Sequence, residues 1–402
     1  MASHDSAARS GSQRSTSAAC VWQGVLVGLG FADPAAWQAA TGDAAVSWPE
    51  VLEEAGRLRL RSFLHLGLAA ASCVRAQVPR PVAESLRRTA CAAAVRATQL
   101  ERLCATIVAE AARAGIPALV LKGPAMASLV YPSAAVRPMD DVDLLVSGED
   151  RERLADLLRS RGFRNDLRGE EDFFSPSRDV SIDVHTGLVN TTRVPARRAL
   201  WPMTFDQLWA CSQTVVLGNV PARTLSPRDT LLHLAIHTVH HQGFGGMLWM
   251  VDLLACLRAW SFSPDDMEDA PPAVRRSLWY CLEVLASRGQ DPVPSIRAAV
   301  QPDRVHLLEQ WALAAIAHGE VPAAIRYAFT LACLSQWKAK GAFLRQLLFP
   351  RAGVFTNGFK DAGNSAPSRG EHWCLAIQLC REALRAALAS RTQSSKKGGR
   401  PS

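Results

Sequence analysis

The sequence predicts an α+β fold in which a small mixed β-sheet lies between two helical regions. Apolar residues recur at helical spacing before residue 115 and again after about residue 204. Short strand-like segments are confined to the stretch between these two limits, and the chain has no internal repeat. Helices that are segregated from strands along a chain are typical of α+β proteins, whereas a parallel α/β sheet requires regular alternation.

The composition is that of a globular protein. Of the 402 residues, 48% are hydrophobic and 20% are charged, which excludes a disordered, collagen-like or coiled-coil chain. The formal charge is +8, but half of that excess lies in the final stretch, at Arg391, Lys396, Lys397 and Arg400. The rest of the chain is mildly basic, which favours a negatively charged ligand and argues against a dedicated DNA-binding protein.

The cysteine pattern indicates reduced thiols. The ten cysteines are scattered, and no pair has the CxxC spacing of a zinc ribbon or redox motif. We therefore expect a cytoplasmic protein without a disulfide framework. The apolar segment 21–31 resembles a short signal-peptide core, but it contains Gln23 and three glycines. A buried helix is the favoured interpretation, and no segment is expected to span a membrane.

The chain divides into five predicted parts. A polar, Ser/Ala-rich arm comes first, and two helical regions flank the α/β core before a basic tail. The predicted boundaries are 1–18 for the arm, 19–115 for the N-terminal helical region, 116–225 for the core, 226–388 for the C-terminal helical region and 389–402 for the tail.

The elements of the core follow from local signals. A helix over about 92–113 ends at Gly115 and Pro117, and a later helix begins at Ser226-Pro227 and continues to His241. Ser147, with Asp150 three residues on, predicts the start of another helix. The predicted strands are 118–121, 142–146, two candidates around 163–167 and 171–175, and 180–185, with a short helix over 125–131.

Paired carboxylates are the most informative feature of this core. Asp141 and Asp143 alternate with Val142 and Leu144, so both acids point to the same side of one strand. Carboxylates on an otherwise apolar strand are costly unless something neutralises them. Asp183 occupies the equivalent position on a later strand. Together the three carboxylates could hold two Mg²⁺ ions, the arrangement that supports in-line displacement at phosphorus.

Neighbouring residues suggest a phosphate site. Gly123 follows a strand and leads into a helix, where backbone N–H groups can approach phosphates. Lys122 is predicted to contact phosphate or to form a salt bridge with the nearby acids. Arg137 is predicted either to contact the substrate or to pair with Asp140 or a helix end. His185 is predicted to contact the nucleotide or to orient Asp183.

Four histidines follow helical spacing further along the chain, at His233, His237, His240 and His241. No glutamate follows in the HExxH order, which excludes a zinc-protease site. We expect this face to line the interface between the core and the helical region, with direct function as the alternative. Asp252 is a candidate partner for one of these histidines.

These motifs resemble a known family. A glycine turn, Asp-x-Asp on a strand and a later strand aspartate resemble the polymerase-beta-like nucleotidyltransferase superfamily. More narrowly, the sequence is similar to the bacterial "uncharacterised nucleotidyltransferase" family over roughly residues 95–355. The segments that carry this similarity are Leu121-Lys122-Gly123, Tyr131, Arg137, Asp141 to Val146, Asp183-Val184-His185, Leu225-Ser226-Pro227 with Leu231 to Leu234 and His237, Trp249, Asp252 and Leu348-Phe349-Pro350.

The resemblance implies a function. It implies Mg²⁺-dependent transfer of a nucleotidyl group from an NTP and does not fix the acceptor. We expect ATP as the donor and a hydroxyl-bearing small molecule, peptide or protein as the acceptor. Asp141, Asp143 and Asp183 would hold the metals, and Lys122, Gly123, Arg137 and His185 would bind the nucleotide. No nucleic-acid partner is expected. Because Lys122-Gly123-Pro124 replaces the superfamily's Gly-Ser turn, two alternatives remain: a non-catalytic nucleotide-binding or helical interaction protein, and a phosphotransferase.

Overall fold

The computed structural model describes residues 16–42, 46–133, 136–165, 172–177, 179–189, 191, 194–317 and 325–348. The predicted basic tail, the cysteines at 374 and 380, nearly all of the predicted N-terminal arm and the two residues after Leu348 lie outside these ranges. Among the residues described, no helix is both long enough and apolar enough to cross a bilayer.

Six helices precede the sheet in the described part of the chain. They are α1 (16–28), α2 (Pro34–Gly42), α3 (Trp48–Arg57), α4 (Arg61–Ala70), α5 (Ser72–Arg75) and α6 (Arg80–Arg113). In the described part of the chain, helix α1 includes residues 16–18, which were assigned to the predicted disordered arm, and it buries Ser17. Helix α1 also buries Val21 and Leu26, which confirms the buried helix predicted for this segment.

Within the residues described, the core contains seven strands and three α-helices. They are β1 (Ala118–Leu121), α7 (Gly123–Val130), β2 (Asp141–Val146), α8 (Arg151–Ser160), β3 (Arg164–Asn165), β4 (Asp172–Phe174), β5 (Ser181–His185), α9 (Phe205–Cys211), β6 (Gln213–Leu217) and β7 (Val220–Thr224). The strand order is β3-β4-β5-β2-β1-β7-β6, with β2/β5 and β1/β7 parallel and the other neighbours antiparallel. The mixed sheet and the α+β class are therefore as predicted.

Seven further α-helices follow in the part of the chain that the structure describes. They are α10 (Pro227–Ile236), α11 (Leu248–Ala259), α12 (Pro272–Ser287), α13 (Pro294–Ala299), α14 (Leu307–Ala317), α15 (Ile325–Cys333) and α16 (Trp337–Leu348). A π-helical turn over His237–Gln242 continues α10, and 3₁₀ turns cover Pro195–Leu200 and Pro264–Met267. Ser226 caps α10 as predicted, because its hydroxyl accepts a hydrogen bond from the Asp229 N–H.

The sheet is covered on both faces, which explains the apolar character of its central strands. Val120 and Leu144 pack into one hydrophobic cluster together with α6 and α8. Leu119 and Leu145 belong to the opposite cluster, which also contains the N-terminal and C-terminal helices. Side chains alternate along each strand, so Asp141 and Asp143 share the face of Leu145. The candidate site thus lies between the sheet and the C-terminal helices.

Several local predictions differ from the structure. Helix α6 begins at Arg80, well before the predicted start near residue 92, because its first turns pack Val82 and Leu86 against the N-terminal helices. Asp150, and not Ser147, is the N-cap residue of α8; the Ser147 hydroxyl instead accepts from the Asp150 N–H in the preceding turn. The five-part division of the chain stays a prediction.

The β6–β7 hairpin was not predicted. Its sequence was assigned to the return of helices after residue 204, yet β7 pairs in parallel with β1 and extends the sheet. The Thr224 hydroxyl of β7 donates a hydrogen bond of 2.6 Å to the Val120 carbonyl of β1, which adds a side-chain contact to the pairing of these two strands. The eight cysteines in the described ranges are free, and five of them are buried.

Candidate active site

Strand pairing brings two of the three predicted carboxylates together. In the parallel β2/β5 ladder Asp143 lies opposite Asp183, and in the antiparallel β1/β2 ladder it lies opposite Leu121. The flanking residues Val142 and Ile182 are fully buried on the other face. This arrangement follows from the alternation of acidic and apolar residues, since burial of the apolar set leaves both acids on one side.

His185 completes a compact group with these acids. Among the residues that the structure describes, Asp143, Asp183 and His185 each offer a ligand atom, and these atoms lie within 4.8 Å of one another. The His185 Nε2 lies 2.8 Å from the Asp143 Oδ1. The predicted orienting role of His185 was directed at Asp183, so the partner is corrected to Asp143. Two carboxylates and an imidazole form a donor set that can bind a divalent cation.

Asp141 does not belong to this compact group. It opens β2 opposite Ser181, on the face that also carries Asp143. Burial raises the pKa of Asp141, and the charge of Asp143 raises it further, whereas Lys122 and Arg137 oppose the shift. The carboxyl therefore lies in the electrostatic field of the site. Its predicted role as a metal ligand stays a prediction.

The turn after β1 places the ammonium group of Lys122 beside the Asp143 carboxylate. Lys122 Nζ lies 3.1 Å from the Asp143 Oδ1, and the two side chains are only 9% and 7% exposed. Of the two predicted roles for Lys122, the salt bridge is the one that the structure contains. Lys122 has a φ of 43°, in the left-handed region that side chains rarely adopt. Backbone strain of this kind clusters at functional sites, where surrounding structure maintains it.

Gly123 occupies the first turn of α7, with Pro124 following it. A Cβ added at Gly123 would meet only the Asp141 carbonyl, at 3.6 Å, which is an ordinary contact. The unusual backbone conformation of the turn thus falls on Lys122 and not on the glycine. The predicted approach of phosphates to the Gly123 backbone stays a prediction.

The pKa values of Asp143, Asp183 and His185 are shifted by their surroundings, and the two carboxyls shift in opposite directions. Burial alone would raise the pKa of Asp143, but the Lys122 ammonium and the His185 hydrogen bond outweigh it and hold the pKa well below its usual range. Burial and the neighbouring charge of Asp143 raise the pKa of Asp183 to about 8. Burial lowers the pKa of His185, but its bond to Asp143 reverses the sign, and the net shift is upward.

Arg137 lies in a buried ion pair. Its Nε and Nη2 donate to the two carboxylate oxygens of Asp252, each at 2.8 Å, and the side chains of the pair are 3% and 0% exposed. The Tyr131 hydroxyl donates to the same carboxylate at 2.6 Å. The expected pairing of Asp252 with a histidine and of Arg137 with Asp140 is therefore wrong. The contact of Arg137 with nucleotide stays a prediction.

The four histidines separate into two environments. His237 stacks on His241 with ring centroids 4.9 Å apart, and His233 meets His237 edge-on at 6.2 Å. His240 points elsewhere, into hydrogen bonds of 2.9 Å with Ser277 and Thr330. The predicted single face is therefore wrong for His240, since the π-helical turn changes the angle between successive side chains.

Three of these histidines face the site. Burial lowers the pKa values of His233, His237 and His241 well below their ordinary range, and the charge of Lys122 contributes to each shift. They are therefore neutral near pH 7. The His237 Nε2 is buried and has no hydrogen-bond partner among the described residues. This agrees with the expected location between the core and the helical region.

Two residues beside the site were missed by sequence reasoning as functional candidates. Trp249 lies with its ring centroid 5.6 Å from both the Lys122 Nζ and the Arg137 Cζ. Asp172 lies opposite Asp183 in the β4/β5 ladder, and its charge contributes to the raised pKa there. A half-buried acidic residue that opens a strand was a usable signal for Asp172. No local signal identified the place of Trp249.

The fold and the site define a class of protein. Two acids on adjacent central strands, next to a lysine-bearing turn, form a site that could hold a divalent cation beside phosphate groups. The sequence model of the family described as "Uncharacterised nucleotidyltransferase" matches residues 44–285. The chain belongs to this family, which confirms the resemblance seen in its motifs up to Asp252. The predicted extent of 95–355 is corrected to 44–285, so the match begins earlier and does not include Leu348-Phe349-Pro350.

No curated protein matches the chain. Among solved structures, the chain is similar to an antigenic nucleotidyltransferase-like protein from Paracoccidioides brasiliensis, with 15% identity and a TM-score of 0.35. That alignment covers 50% of this chain and 91% of the other. Membership of this family supports nucleotidyl transfer as the general activity.

Proposed function

We propose that this protein transfers a nucleotidyl group from an NTP, with ATP as the expected donor, to a hydroxyl on a small molecule, peptide or protein. The observation that carries the proposal is the cluster of Asp143, Asp183 and His185 within 4.8 Å, with the Lys122 ammonium beside it. This donor set fits a divalent cation, with Mg²⁺ as the expected ion and two ions as the expected number. When bound there, the metal supplies charge neutralisation at the phosphates and lowers the pKa of the acceptor hydroxyl.

The side chains have separate tasks in this proposal. Asp143 and Asp183 hold the cation, with Asp141 as the further expected ligand. Lys122 exchanges Asp143 for the phosphate oxygens of the incoming nucleotide, which its long flexible stem permits. Asp183 also takes the proton of the acceptor hydroxyl.

The transfer step forms one bond to phosphorus and breaks another. The acceptor oxygen forms a bond to the α-phosphorus, and the bond between that phosphorus and the α,β-bridging oxygen breaks. Pyrophosphate leaves with the electron pair of the broken bond, and the hydroxyl proton passes to Asp183. Arg137 is held by its two hydrogen bonds to Asp252, and its contact with the nucleotide stays a prediction.

Labelled nucleotides test this proposal. The purified chain is incubated with Mg²⁺, a cell extract as the source of acceptor, and ATP labelled at either the α or the γ phosphorus. Label from the α position on an acceptor is the expected result. Label from the γ position would indicate a phosphotransferase, and nucleotide binding without transfer would indicate a non-catalytic protein.

Matched variants assign the activity to the cluster. Asp143→Asn is expected to reduce α-label transfer about a hundredfold or more, since metal stabilisation is worth several kcal/mol and about 1.4 kcal/mol corresponds to tenfold. Asp140→Asn is the control, because the Asp140 side chain is 72% exposed and lies beside the same strand. Equal activity in both variants would contradict the assignment.

A cytoplasmic location stays a prediction.

A further inference from the structure

The donor set at the candidate site includes a nitrogen. Within the described ranges, the compact group consists of one imidazole and two carboxylates, Asp143, Asp183 and His185. Mg²⁺ prefers oxygen ligands and keeps much of its water, whereas imidazole nitrogen suits transition metals. The question is therefore whether His185 touches the cation or only supports a ligand.

Strand geometry directs His185 into the cluster. His185 follows Asp183 by two residues in β5, so both side chains project from the same face of the sheet. The imidazole is half-buried, with 19% of the side chain exposed, and its Nε2 reaches across to Asp143 on the neighbouring strand. The ring nitrogen thus points at the centre of the acidic group rather than toward bulk solvent.

One carboxylate oxygen marks the place of the cation. The Asp143 Oδ1 receives both the Lys122 Nζ at 3.1 Å and the His185 Nε2 at 2.8 Å. A divalent cation that binds this oxygen must displace one or both of these partners. An ammonium has no lone pair and must leave, whereas the imidazole can stay as a ligand once its Nε2 has released the proton that it donates to Asp143, because metal binding expels such protons. The histidine is also short and held by its strand, whereas the lysine side chain is long and flexible.

We propose that His185 is a direct ligand of the cation held by Asp143 and Asp183, and that the site consequently selects a first-row transition cation such as Mn²⁺ over Mg²⁺. Lys122 occupies the cation's place until the metal enters. The inference rests on the proposed function only in assuming that this cluster holds a cation.

Manganese is the probe for this proposal because it is paramagnetic. Pulsed electron paramagnetic resonance on the purified chain with Mn²⁺, without nucleotide, is expected to show coupling to a directly bound ¹⁴N. His185→Gln is expected to abolish that coupling. His306→Gln, at an exposed histidine, is the matched control and is expected to retain it.

Affinity measurements test selectivity separately. Titration of the wild-type chain is expected to give a Mn²⁺ dissociation constant below that for Mg²⁺, because a nitrogen ligand suits a transition cation better than Mg²⁺. His185→Gln is expected to remove most of that preference by weakening Mn²⁺ binding alone. Lys122→Met removes the competing ammonium and is expected to tighten the binding of Mn²⁺ while the ¹⁴N coupling persists.

Several results would overturn the inference. Bound Mn²⁺ without ¹⁴N coupling in the wild-type chain would show that His185 only supports Asp143, and this experiment needs no variant to fold. Equal weakening of Mn²⁺ and Mg²⁺ in His185→Gln would show the same. Absence of cation binding would also refute it. None of these measurements involves transfer from ATP, so the α-label assay judges the proposed function independently.

Discussion

Replacing Asp252 by asparagine removes the negative charge from the buried network that joins α11 to the segment after α7. The Asp252 carboxylate accepts two hydrogen bonds of 2.8 Å from Arg137 and one of 2.6 Å from Tyr131. The side chains of the ion pair are 3% and 0% exposed, so water cannot replace the missing partner. In the variant, the amide NH₂ would also face the guanidinium N–H groups, and donor would meet donor.

The loss in free energy of unfolding depends on how deeply each broken interaction is buried. Breaking a buried ion pair by removing one partner costs about 3–5 kcal/mol, because the remaining charge is left uncompensated. Tyr131→Phe keeps the ion pair and removes one hydrogen bond to a charged acceptor, so it should cost about 1.5–3 kcal/mol. Asp140→Asn disrupts the exposed pair with Arg59, whose side chains are 46% and 72% exposed, and should cost about 0–1 kcal/mol.

Urea unfolding followed by circular dichroism measures these three free energies of unfolding. The expected order of destabilisation is Asp252→Asn, then Tyr131→Phe, then Asp140→Asn. The double variant Arg137→Met/Asp252→Leu is expected to be more stable than Asp252→Asn, since it leaves no buried charge unpaired. A loss below about 1 kcal/mol in Asp252→Asn, equal to that in the exposed control, would refute the reasoning.

Two further predictions concern packing and acid stability. Gly67→Ala should destabilise the fold by about 3 kcal/mol, because its Cβ would meet the backbone carbonyl of Gly24 at 2.0 Å. The control Gly341→Ala has open space around the new Cβ and should be neutral or stabilising by up to about 1 kcal/mol. Thermal unfolding measures both changes. Burial lowers the pKa of His240 to about 3, so the unfolded chain binds the extra proton as pH falls below about 6.5 and stability decreases toward acid. His240→Gln should flatten that decline by up to about 1.4 kcal/mol per pH unit between pH 6 and 4, and an unchanged slope would show that His240 titrates normally.

Local patterns were sufficient for part of the site. Alternation along β2 and β5 placed Asp143 and Asp183 on one face, because the apolar residues between them must be buried whatever the partners are. The helix start at Ser226 was equally predictable, since its cap involves residues three apart. The glycine-containing turn and the Asp-x-Asp strand were sufficient to indicate the family.

Other features depended on residues that are distant along the chain. Arg137 and Asp252 are 115 positions apart, and each alone is an ordinary charged residue with many possible partners. The hairpin of β6 and β7 acquired its place only by pairing with β1, and sheet pairing depends on neighbours more than on local propensity. The π-helical turn that separates His240 from His237 also has no simple sequence signal.

The sequence by itself determined which face of each central strand carries the acids, because that depends on a two-residue period and on the burial of apolar side chains. Only the tertiary structure decided that His185, rather than Asp141, joins Asp143 and Asp183 in the compact group, and that Lys122 holds Asp143. Strand register and turn conformation set those distances, and both result from packing across the whole sheet and its covering helices.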